Sequence, residues 1–219
     1  MLQEIVKEKQ MIELINDDCI NIMKDYKDNH FDLAICDPPY GIDRADGMRA
    51  GTSLNGGSGW KKHSIKNWDK NVPNKEYFDE LYRVSKNQII WGGNYMVEHL
   101  KPSMGWVFWD KGQNLRMSDG ELAYTSFNRA LRSIIINRVE ILKDGSIHPT
   151  QKPIKLYKWL LHNYAEKGQK ILDTHLGSGS IAIACHYFGV DLVGIEIDKE
   201  YYDKAKDRVD KLTRQEVLF

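Results

Sequence analysis

Apolar segments of strand length alternate with helix-like segments along nearly the whole chain, and this alternation constrains the fold most strongly. The candidate strands are residues 12–15, 31–36, 88–91, 106–109, 121–125, 170–172 and 191–195. The candidate helices are residues 19–27, 75–84, 154–166, 180–188 and 199–212. Several of the strands are apolar throughout, which is typical of strands covered by helices on both faces. The sequence therefore predicts an α/β fold with helices on both sides of the sheet.

The length and charge of the chain favour one globular domain. Its 219 residues carry 31 Lys and Arg against 31 Asp and Glu, and this length suits one domain with an insertion. No apolar run approaches the roughly 20 residues of a membrane-spanning helix, and the first ten residues are charged rather than typical of a signal peptide. We therefore expect a single domain over residues 1–219 and a cytoplasmic location.

The cysteines offer no framework for a disulfide or a metal. Cys19, Cys36 and Cys185 lie far apart, and each is embedded in an apolar stretch. An odd number of separated cysteines excludes the C-x-x-C spacing of common metal sites. The histidines show no metal-ligand spacing either. The sequence therefore predicts buried thiols and no bound metal.

Two polar segments interrupt the alternation and carry a local excess of positive charge. Residues 41–70, which we predict to form a long flexible loop, contain six basic side chains against three acidic ones, and residues 128–147 have a smaller excess. A net charge of +0 argues against binding nucleic acid through charge alone, but a local basic face remains open. The candidate DNA-binding residues are Arg44, Arg49, Lys61, Lys62, Lys66, Arg129 and Arg132.

The most informative motif is Asp37, Pro38, Pro39 and Tyr40, directly after the apolar strand 31–36. Two prolines at a strand end stiffen the backbone and leave nearby carbonyls free to accept hydrogen bonds. A carboxylate, a carbonyl and an aromatic ring then meet where open α/β sheets bind ligands. This combination suits an amine on a planar ring, because Asp37 and the Pro38 carbonyl can accept its hydrogens while Tyr40 stacks on the ring.

A second motif, residues 173–180, lies between a strand and a helix and contains a G-x-G turn. Glycines there let the backbone approach a ligand, and the helix N-terminus offers N–H groups. Glu196 follows the next strand about 20 residues later, where an acidic side chain often holds ribose hydroxyls. The spacing fits a nucleoside cofactor, and a dinucleotide fits almost as well. Ala182 stands where the full dinucleotide fingerprint has its third glycine.

Together these two motifs resemble the S-adenosylmethionine-dependent amino methyltransferases of DNA, which make N6-methyladenine or N4-methylcytosine. The catalytic motif precedes the cofactor motif, and this order resembles the permuted β class of that family. Residues 15–19, 91–95, 106–111, 118–126 and 148–153 also resemble family segments. The resemblance therefore covers nearly the whole chain.

The resemblance implies a single-domain, Rossmann-like, circularly permuted fold with a mixed seven-stranded sheet, in which strand 12–15 pairs beside the strand leading to Glu196. It implies S-adenosylmethionine as methyl donor, S-adenosylhomocysteine as product, no metal, and a flipped base in DNA as substrate. The catalytic residues implied are Asp37, Pro38, Pro39 and Tyr40. The cofactor-binding residues implied are Asp18, Asp37, Asp173, His175, Gly177, Ser178, Gly179, Ser180 and Glu196.

Two features depart from the family pattern. Family members commonly have Pro-Phe where Thr174 and His175 stand here. The imidazole either replaces an aromatic contact to the cofactor or serves as a capping or solvent-facing side chain. The usual target-recognition domain is reduced to about residues 128–147, so site selection must use this segment, the loop at 41–70, a second subunit, or little specificity at all.

The resemblance favours adenine-N6 as the target, because Ser is commoner than Asp at position 37 in cytosine enzymes; cytosine-N4 is the alternative. A nicotinamide-dependent oxidoreductase or a non-enzymatic nucleic-acid-binding module leaves residues 37–40 unexplained. The resemblance also implies a bacterial or phage-encoded enzyme, with or without a restriction nuclease, and allows a homodimer. Residues 215–219, QEVLF, resemble peptides that dock on the bacterial sliding clamp, although packing of this end on the domain is the simpler interpretation.

Overall fold

The computed structural model describes residues 10–42, 71–112, 118–137, 139–143, 145, 147, 148 and 150–214. Most of the predicted loop at 41–70 and the peptide at 215–219 lie outside the described residues. Five of the candidate DNA-binding residues do so as well, namely Arg44, Arg49, Lys61, Lys62 and Lys66. Among the helices that the structure describes, none has the length and apolar character needed to cross a membrane.

One mixed sheet forms the centre of the described fold. Its strands are β1 (Ile12–Ile15), β2 (Phe31–Cys36), β3 (Ser85–Trp91), β4 (Trp106–Asp110), β5 (Gly120–Thr125), β6 (Arg132–Ile135), β7 (Lys170–Asp173) and β8 (Asp191–Ile195). Their spatial order is β1-β8-β7-β2-β3-β5-β4-β6. Strand β5 runs antiparallel to its neighbours β3 and β4, and the other pairs are parallel. The predicted α/β class and mixed sheet are confirmed.

The predicted number of seven strands is wrong, because the described sheet has eight. The additional strand is β6, which pairs with β4 at the edge of the sheet and lies inside the segment predicted as a reduced recognition region. Three of its four residues are exposed, and two of these, Arg132 and Ser133, are polar. The segment therefore lacks an apolar pattern. An edge strand with one open side needs no continuous apolar run, so its sequence resembles a loop.

The described residues form six helices, five between strands and the last one after β8. They are α1 (Cys19–Lys24), α2 (Lys75–Val84), α3 (Val139–Lys143), α4 (Ile154–Tyr164), α5 (Ser180–Phe188) and α6 (Lys199–Thr213). The predicted bounds of α2 and α5 are confirmed, whereas α1 ends three residues before the predicted end. Short 3-10 turns at Gly93–Tyr95 and Val97–His99 follow β3. Neither they nor α3 carry a long enough pattern to be predicted.

The sheet separates two hydrophobic cores. Alternate residues of β2 point to opposite faces: Leu33 and Ile35 join the core under α4, α5 and α6, and Ala34 and Cys36 join the core under α1 and α2. This period of two is the geometry of a pleated strand. Because both faces of β2 are covered, its last four residues, Leu33 to Cys36, are apolar on both sides.

The connections place a ligand crevice between β7 and β2. From β7 the chain passes through α5 to β8 on one side, and from β2 it passes through α2 to β3 on the other. Where the connections from two adjacent parallel strands lead to opposite sides, the sheet has a topological switch point. Ligands bind there, beyond the carboxyl ends of the strands. Strand β1 pairs parallel to β8, with Ile15 opposite Ile195. The permuted arrangement that the resemblance implied is therefore confirmed.

Candidate active site

Four acidic side chains lie at the carboxyl ends of four consecutive strands. Asp18 follows β1, Glu196 follows β8, Asp173 ends β7 and Asp37 follows β2. These strands are parallel to one another, so their carboxyl ends share one edge of the sheet. The structure thus brings together Asp37, Asp173 and Glu196 from the two sequence motifs, and Asp18, which the resemblance implied.

Asp37 and Tyr40 are joined across the two prolines. The Tyr40 hydroxyl donates a hydrogen bond of 2.7 Å to Asp37 Oδ1. The Tyr40 ring is stacked on the half-exposed ring of Tyr95, with centroids 5.2 Å apart and planes 16° apart. Gly92 makes room for this ring, because a Cβ at Gly92 would lie 2.2 Å from a Tyr40 ring atom. The aromatic ring is therefore fixed from both ends.

A buried ammonium group lies beside this pair. Lys152 forms an ion pair with Asp37 Oδ2, and its Nζ lies 3.2 Å from Glu121 Oε2. The same Nζ lies 3.3 Å from the Tyr40 hydroxyl oxygen. Glu121 in turn pairs with Lys111 at 2.8 Å. The sequence motifs identified neither of these lysines, nor Glu121, as a site residue.

The electrostatics of this group depend on burial and on mutual compensation. Burial raises the pKa of Asp37; Lys152 opposes this rise, and Glu121 adds to it. Burial alone would lower the pKa of Lys152, but Asp37 and Glu121 raise it above its ordinary value. Burial also acts to raise the pKa of Glu121, but Lys152 and Lys111 outweigh it and hold this pKa at about 2. Lys152 and Glu121 are therefore both charged near neutral pH.

The glycine turn after β7 is tied to the end of β8. Glu196 Oε2 accepts a hydrogen bond of 2.9 Å from the Gly177 N–H, and its Oε1 accepts one of 2.9 Å from the Asp198 N–H. Gly177 has φ 53° and Gly179 has φ 70°, a left-handed conformation that favours glycine. A Cβ at Gly179 would also lie 2.8 Å from Val209 in α6. The turn thus requires glycine for conformation and for packing.

The serines of the turn face the last helix. The Ser178 carbonyl and the Ser180 hydroxyl both accept hydrogen bonds from the Arg208 guanidinium, at 2.8 and 3.0 Å. The two serine hydroxyls lie 3.0 Å apart. Ser178 and Ser180 therefore lie at the predicted turn, and Arg208 fixes the backbone there from α6.

Asp173 and His175 occupy the bottom of the crevice. Asp173 is buried and accepts a hydrogen bond of 3.0 Å from the His175 N–H. Burial raises the pKa of Asp173 to about 8; this hydrogen bond opposes the rise, while Asp37 and Glu196 add to it. Burial lowers the pKa of His175 to about 4, so its ring is neutral at pH 7. A buried acid with a raised pKa is suited to a cationic ligand.

The His175 ring belongs to a chain of side-chain hydrogen bonds. Its Nδ1 lies 2.9 Å from Thr174 Oγ1, and that oxygen lies 2.8 Å from the Tyr77 hydroxyl in α2. The rings of Tyr77 and His175 also meet edge to face, with centroids 5.5 Å apart. The ring is thus held in one orientation by two neighbours.

Asp18 already has a structural role. Its side chain is the N-cap of α1 and accepts a hydrogen bond of 2.7 Å from the Ile20 N–H. An Asp at an N-cap stabilises the first turn of a helix. One carboxylate oxygen is thereby turned towards the helix. This contact fixes the carboxylate at the edge of the sheet next to Glu196.

A comparison with family models decides the class of protein. Residues 90–207, more than half of the chain, match the N6/N4 methylase model, whose description is DNA methylase. The chain belongs to the DNA methylase family. The matched range of this methylase contains Lys152, Asp173 and Glu196, and it begins after the segment that contains Asp37.

Relatives of this DNA methylase match most of its length. Type II methyltransferase M.HpaI of Haemophilus parainfluenzae is 26% identical over 244 residues, which cover 90% of this chain and 74% of that protein. The solved complex of M1.HpyAVI with SAM is similar, with a TM-score of 0.61, 20% identity, and coverage of 91% of this chain and 100% of that chain. PvuII DNA methyltransferase, described as cytosine-N4-specific, has a TM-score of 0.58 at 12% identity, covering 94% and 92%. The structural likenesses show a shared fold.

The two candidate DNA-binding residues that the methylase structure describes lie in different settings. Arg129 donates a hydrogen bond of 2.6 Å to the Asn163 carbonyl, and its guanidinium lies 4.8 Å from the centre of the Tyr164 ring. It thereby fastens the segment after β5 to the C-terminus of α4. Arg132 is exposed on the edge strand β6. Arg132 is thus the more accessible of the two for a phosphate.

The remaining predictions concern side chains outside the motifs. Cys36 and Cys185 are buried as predicted, whereas Cys19 is only partly buried. The described residues contain no group of three His, Cys, Asp or Glu side chains arranged for a metal ion. Lys152 and Glu121 fall inside segments 148–153 and 118–126, which resemble the family. The sequence does not show that these charges are buried together, because they are 31 residues apart.

Proposed function

We propose that this chain is a DNA adenine-N6 methyltransferase that moves a methyl group from S-adenosylmethionine to the exocyclic amine of a flipped adenine. One observation carries the proposal. Asp37 follows β2 and Asp173 ends the adjacent parallel strand β7 at the switch point, with the Tyr40 ring on one side and the glycine turn on the other. A carboxylate that can accept hydrogen bonds from an amine and a carboxyl group suited to a cationic ligand therefore adjoin each other.

On the target side, the residues at 37–40 orient the amine. The lone pair of an exocyclic amine is shared with the ring, which makes the nitrogen a poor nucleophile. Asp37 and the Pro38 carbonyl accept its two hydrogens, so that the lone pair is localised and directed towards the methyl group. Tyr40 supplies an aromatic face for the base. After transfer the nitrogen is cationic, and Asp37 accepts the proton that it loses.

On the cofactor side, the acidic strand ends fit the charges of S-adenosylmethionine. In this proposal Glu196 binds the ribose hydroxyls and Asp18 the adenine edge, while Asp173 and the Gly177 turn adjoin the amino-acid part, which carries an ammonium group. The raised pKa of buried Asp173 supports this assignment, because a neighbouring cation relieves its unfavourable ionisation. When bound, S-adenosylmethionine supplies an electrophilic methyl carbon, whose C–S bond breaks as the N–C bond forms and S-adenosylhomocysteine leaves.

The base must leave the duplex to reach this crevice, because its amine is buried in base pairing. We assign DNA contacts to the basic segments at 41–70 and 128–147 of this single domain, with exposed Arg132 on β6 as a phosphate contact. Such contacts add affinity that falls as salt concentration rises. Site selection then depends on these segments or on a second subunit.

Adenine is the proposed target and cytosine-N4 the second candidate. The acidic residue at position 37 supports adenine, through the family resemblance. The likeness in fold to a cytosine-N4-specific enzyme keeps the alternative open. The exocyclic amines of the two bases have the same donor chemistry, so the Asp37 geometry accepts both.

The test is a direct analysis of methylated DNA. Unmethylated plasmid is incubated with the purified protein and S-adenosylmethionine carrying a deuterated methyl group, and the digested nucleosides are identified by mass spectrometry. We expect labelled N6-methyladenine. Labelled N4-methylcytosine supports the second candidate, and unlabelled DNA with a protein that binds the cofactor contradicts both. Sequencing of the modified positions then gives the recognition site.

A further inference from the structure

Lys152 is a fully engaged ammonium group in the interior of the protein. Its side chain is 3% exposed. It meets three acceptors: Asp37 Oδ2, Glu121 Oε2 at 3.2 Å and the Tyr40 hydroxyl oxygen at 3.3 Å. An ammonium has three N–H donors, so each donor has one acceptor. The orientation of this charge is therefore determined by the site around it.

Glu121 connects this ammonium to a second one. Its Oε2 faces Lys152 and its Oε1 pairs with Lys111 at 2.8 Å. Asp37, Glu121, Lys111 and Lys152 thus form a quartet with two positive and two negative charges. Their positions come from the end of β2, from β5, from the end of β4 and from the segment before α4. Four separate parts of the chain therefore contribute one charge each to the quartet.

Burying a quartet of charges costs folding free energy, so its presence calls for a functional explanation. Removing charges from water costs several kcal/mol per ion, which pairing offsets only when the geometry is good. The neighbouring core positions are apolar, and well-packed apolar residues commonly stabilise a fold as effectively. Within the quartet Lys152 pairs directly with Asp37, which the proposed function assigns to the amine hydrogens, and Glu121 pairs with Lys152. Their arrangement therefore points to the chemistry of the Asp37 carboxylate.

We propose that Lys152 and Glu121 are positioning residues that fix the orientation and the charge of Asp37. The inference rests on the proposed function of Asp37. Lys152 occupies Oδ2 and leaves Oδ1 facing the Tyr40 hydroxyl, so the amine meets one defined oxygen. Glu121 Oε2 lies 3.4 Å from that hydroxyl. It is a second acceptor to which Tyr40 turns when the amine takes its place on Oδ1.

The two residues act on Asp37 with opposite signs. The groups that face Asp37 are Lys152, Tyr40, Glu121, Asp173 and Tyr157. Among these, the Lys152 cation favours the carboxylate and the Glu121 anion disfavours it. Removing the cation therefore raises the pKa of Asp37, and removing the anion lowers it. A residue that supports the fold without acting on this carboxylate leaves the pKa of Asp37 unchanged when it is replaced.

The experiment compares Lys152→Gln, Glu121→Gln and the double variant, with Lys155→Gln on the exposed face of α4 as the matched control. The acidic limb of the kcat/KM profile against pH moves up by about 1–3 units in the first and down in the second. In the double variant it returns towards the wild-type position. We expect kcat to fall about 10²-fold in Lys152→Gln, with the Kd for S-adenosylmethionine changed less than about threefold.

A second readout does not depend on activity. Carbon-13 NMR of labelled aspartate carboxyl groups, assigned with Asp37→Asn, measures the pKa of Asp37 in the free protein. Shifts of opposite sign in the two single variants support the proposal, and equal shifts or none overturn it. If Lys152→Gln fails to fold, Glu121→Gln and Lys111→Gln carry the test, because removing Lys111 alone leaves Glu121 facing Lys152. Absence of methyl transfer by the wild-type protein contradicts the proposed function, whereas the NMR titration still decides the inference.

Discussion

Glu196 accepts a hydrogen bond of 2.9 Å from the backbone N–H of Gly177, which joins the end of β8 to the turn after β7. The second carboxylate oxygen holds the Asp198 N–H at the start of α6. Both oxygens are therefore placed by the backbone of the protein itself, and a ligand that binds there meets a carboxylate already oriented. Preorganisation of this kind lowers the entropic cost of binding.

The first prediction concerns Glu196→Gln. A Gln side chain has one oxygen and one NH2 group, so it cannot accept from both backbone N–H groups, and it carries no charge for the ribose hydroxyls. We expect the Kd for S-adenosylmethionine to rise about tenfold or more, the equivalent of losing one charge-assisted hydrogen bond. Isothermal titration calorimetry measures the change. Glu200→Gln, on the exposed side of α6, is the matched control and leaves Kd unchanged.

A second prediction concerns Asp37→Ala. In the proposed function Asp37 acts on the target base, and Glu196 and the Gly177 turn bind the cofactor, so removing Asp37 leaves the proposed cofactor site in place. We expect methyl transfer to fall by at least about 10²-fold, as for loss of a proton-accepting group, while the Kd for S-adenosylmethionine stays within about threefold. A radiolabelled methyl-transfer assay and calorimetry give the two numbers. Activity close to wild type contradicts the role of Asp37.

The pH dependence of cofactor binding follows from Asp173. Its pKa of about 8 in the free protein means that it is largely protonated at pH 6–7. A bound cation favours the carboxylate, so binding lowers this pKa and releases a proton. Affinity for S-adenosylmethionine therefore rises as pH increases from 6 to 7, by up to about tenfold per pH unit. The ammonium of the ligand keeps its proton in this range.

Proton release is measured by calorimetry at pH 7 in two buffers with different ionisation enthalpies. We expect the apparent binding enthalpies to differ by the release of nearly one proton. In Asp173→Asn the difference disappears, because the amide does not titrate. A wild-type enthalpy that is the same in both buffers shows that Asp173 is already ionised or does not meet the cation.

The sequence predicts the site in proportion to how local its signals are. Asp37, Asp173 and Glu196 each follow an apolar strand, so the parallel topology alone brings them to one edge. Lys152 and Glu121 lie in segments without such a signal, and only the folded sheet brings their charges together. For the same reason the sequence does not predict β6: its partner β4 supplies the pairing, while its own residues are mostly exposed.

His175→Phe and His175→Ala distinguish the two interpretations of this ring. If the neutral ring contacts the cofactor, Phe preserves the Kd within about threefold and Ala raises it up to about tenfold, the usual range for an aromatic contact. Both variants lose the hydrogen bond to Thr174, which retains Tyr77, and we expect about 1 kcal/mol lower stability in urea unfolding. Equal cofactor affinities for Phe and Ala favour the capping interpretation.

The last prediction uses two glycines that both have a positive φ but differ in their surroundings. Gly92 has φ 68° and lies against Tyr40, where a Cβ would be 2.2 Å from a ring atom; Gly168 has φ 81° and no heavy atom within 4 Å of such a Cβ. Alanine at either position adopts an unfavourable left-handed conformation, which costs about 1–2 kcal/mol. At Gly92 the methyl group must also displace the Tyr40 ring from Tyr95 and Asp37.

We therefore expect Gly168→Ala to lower stability and to keep kcat. We expect Gly92→Ala to lower stability further and to lower kcat more than about tenfold, since a 1 Å displacement of a positioned group slows the reaction strongly. Urea unfolding and the methyl-transfer assay measure both effects, and equal kcat values for the two variants show that the position of the Tyr40 ring does not limit the reaction.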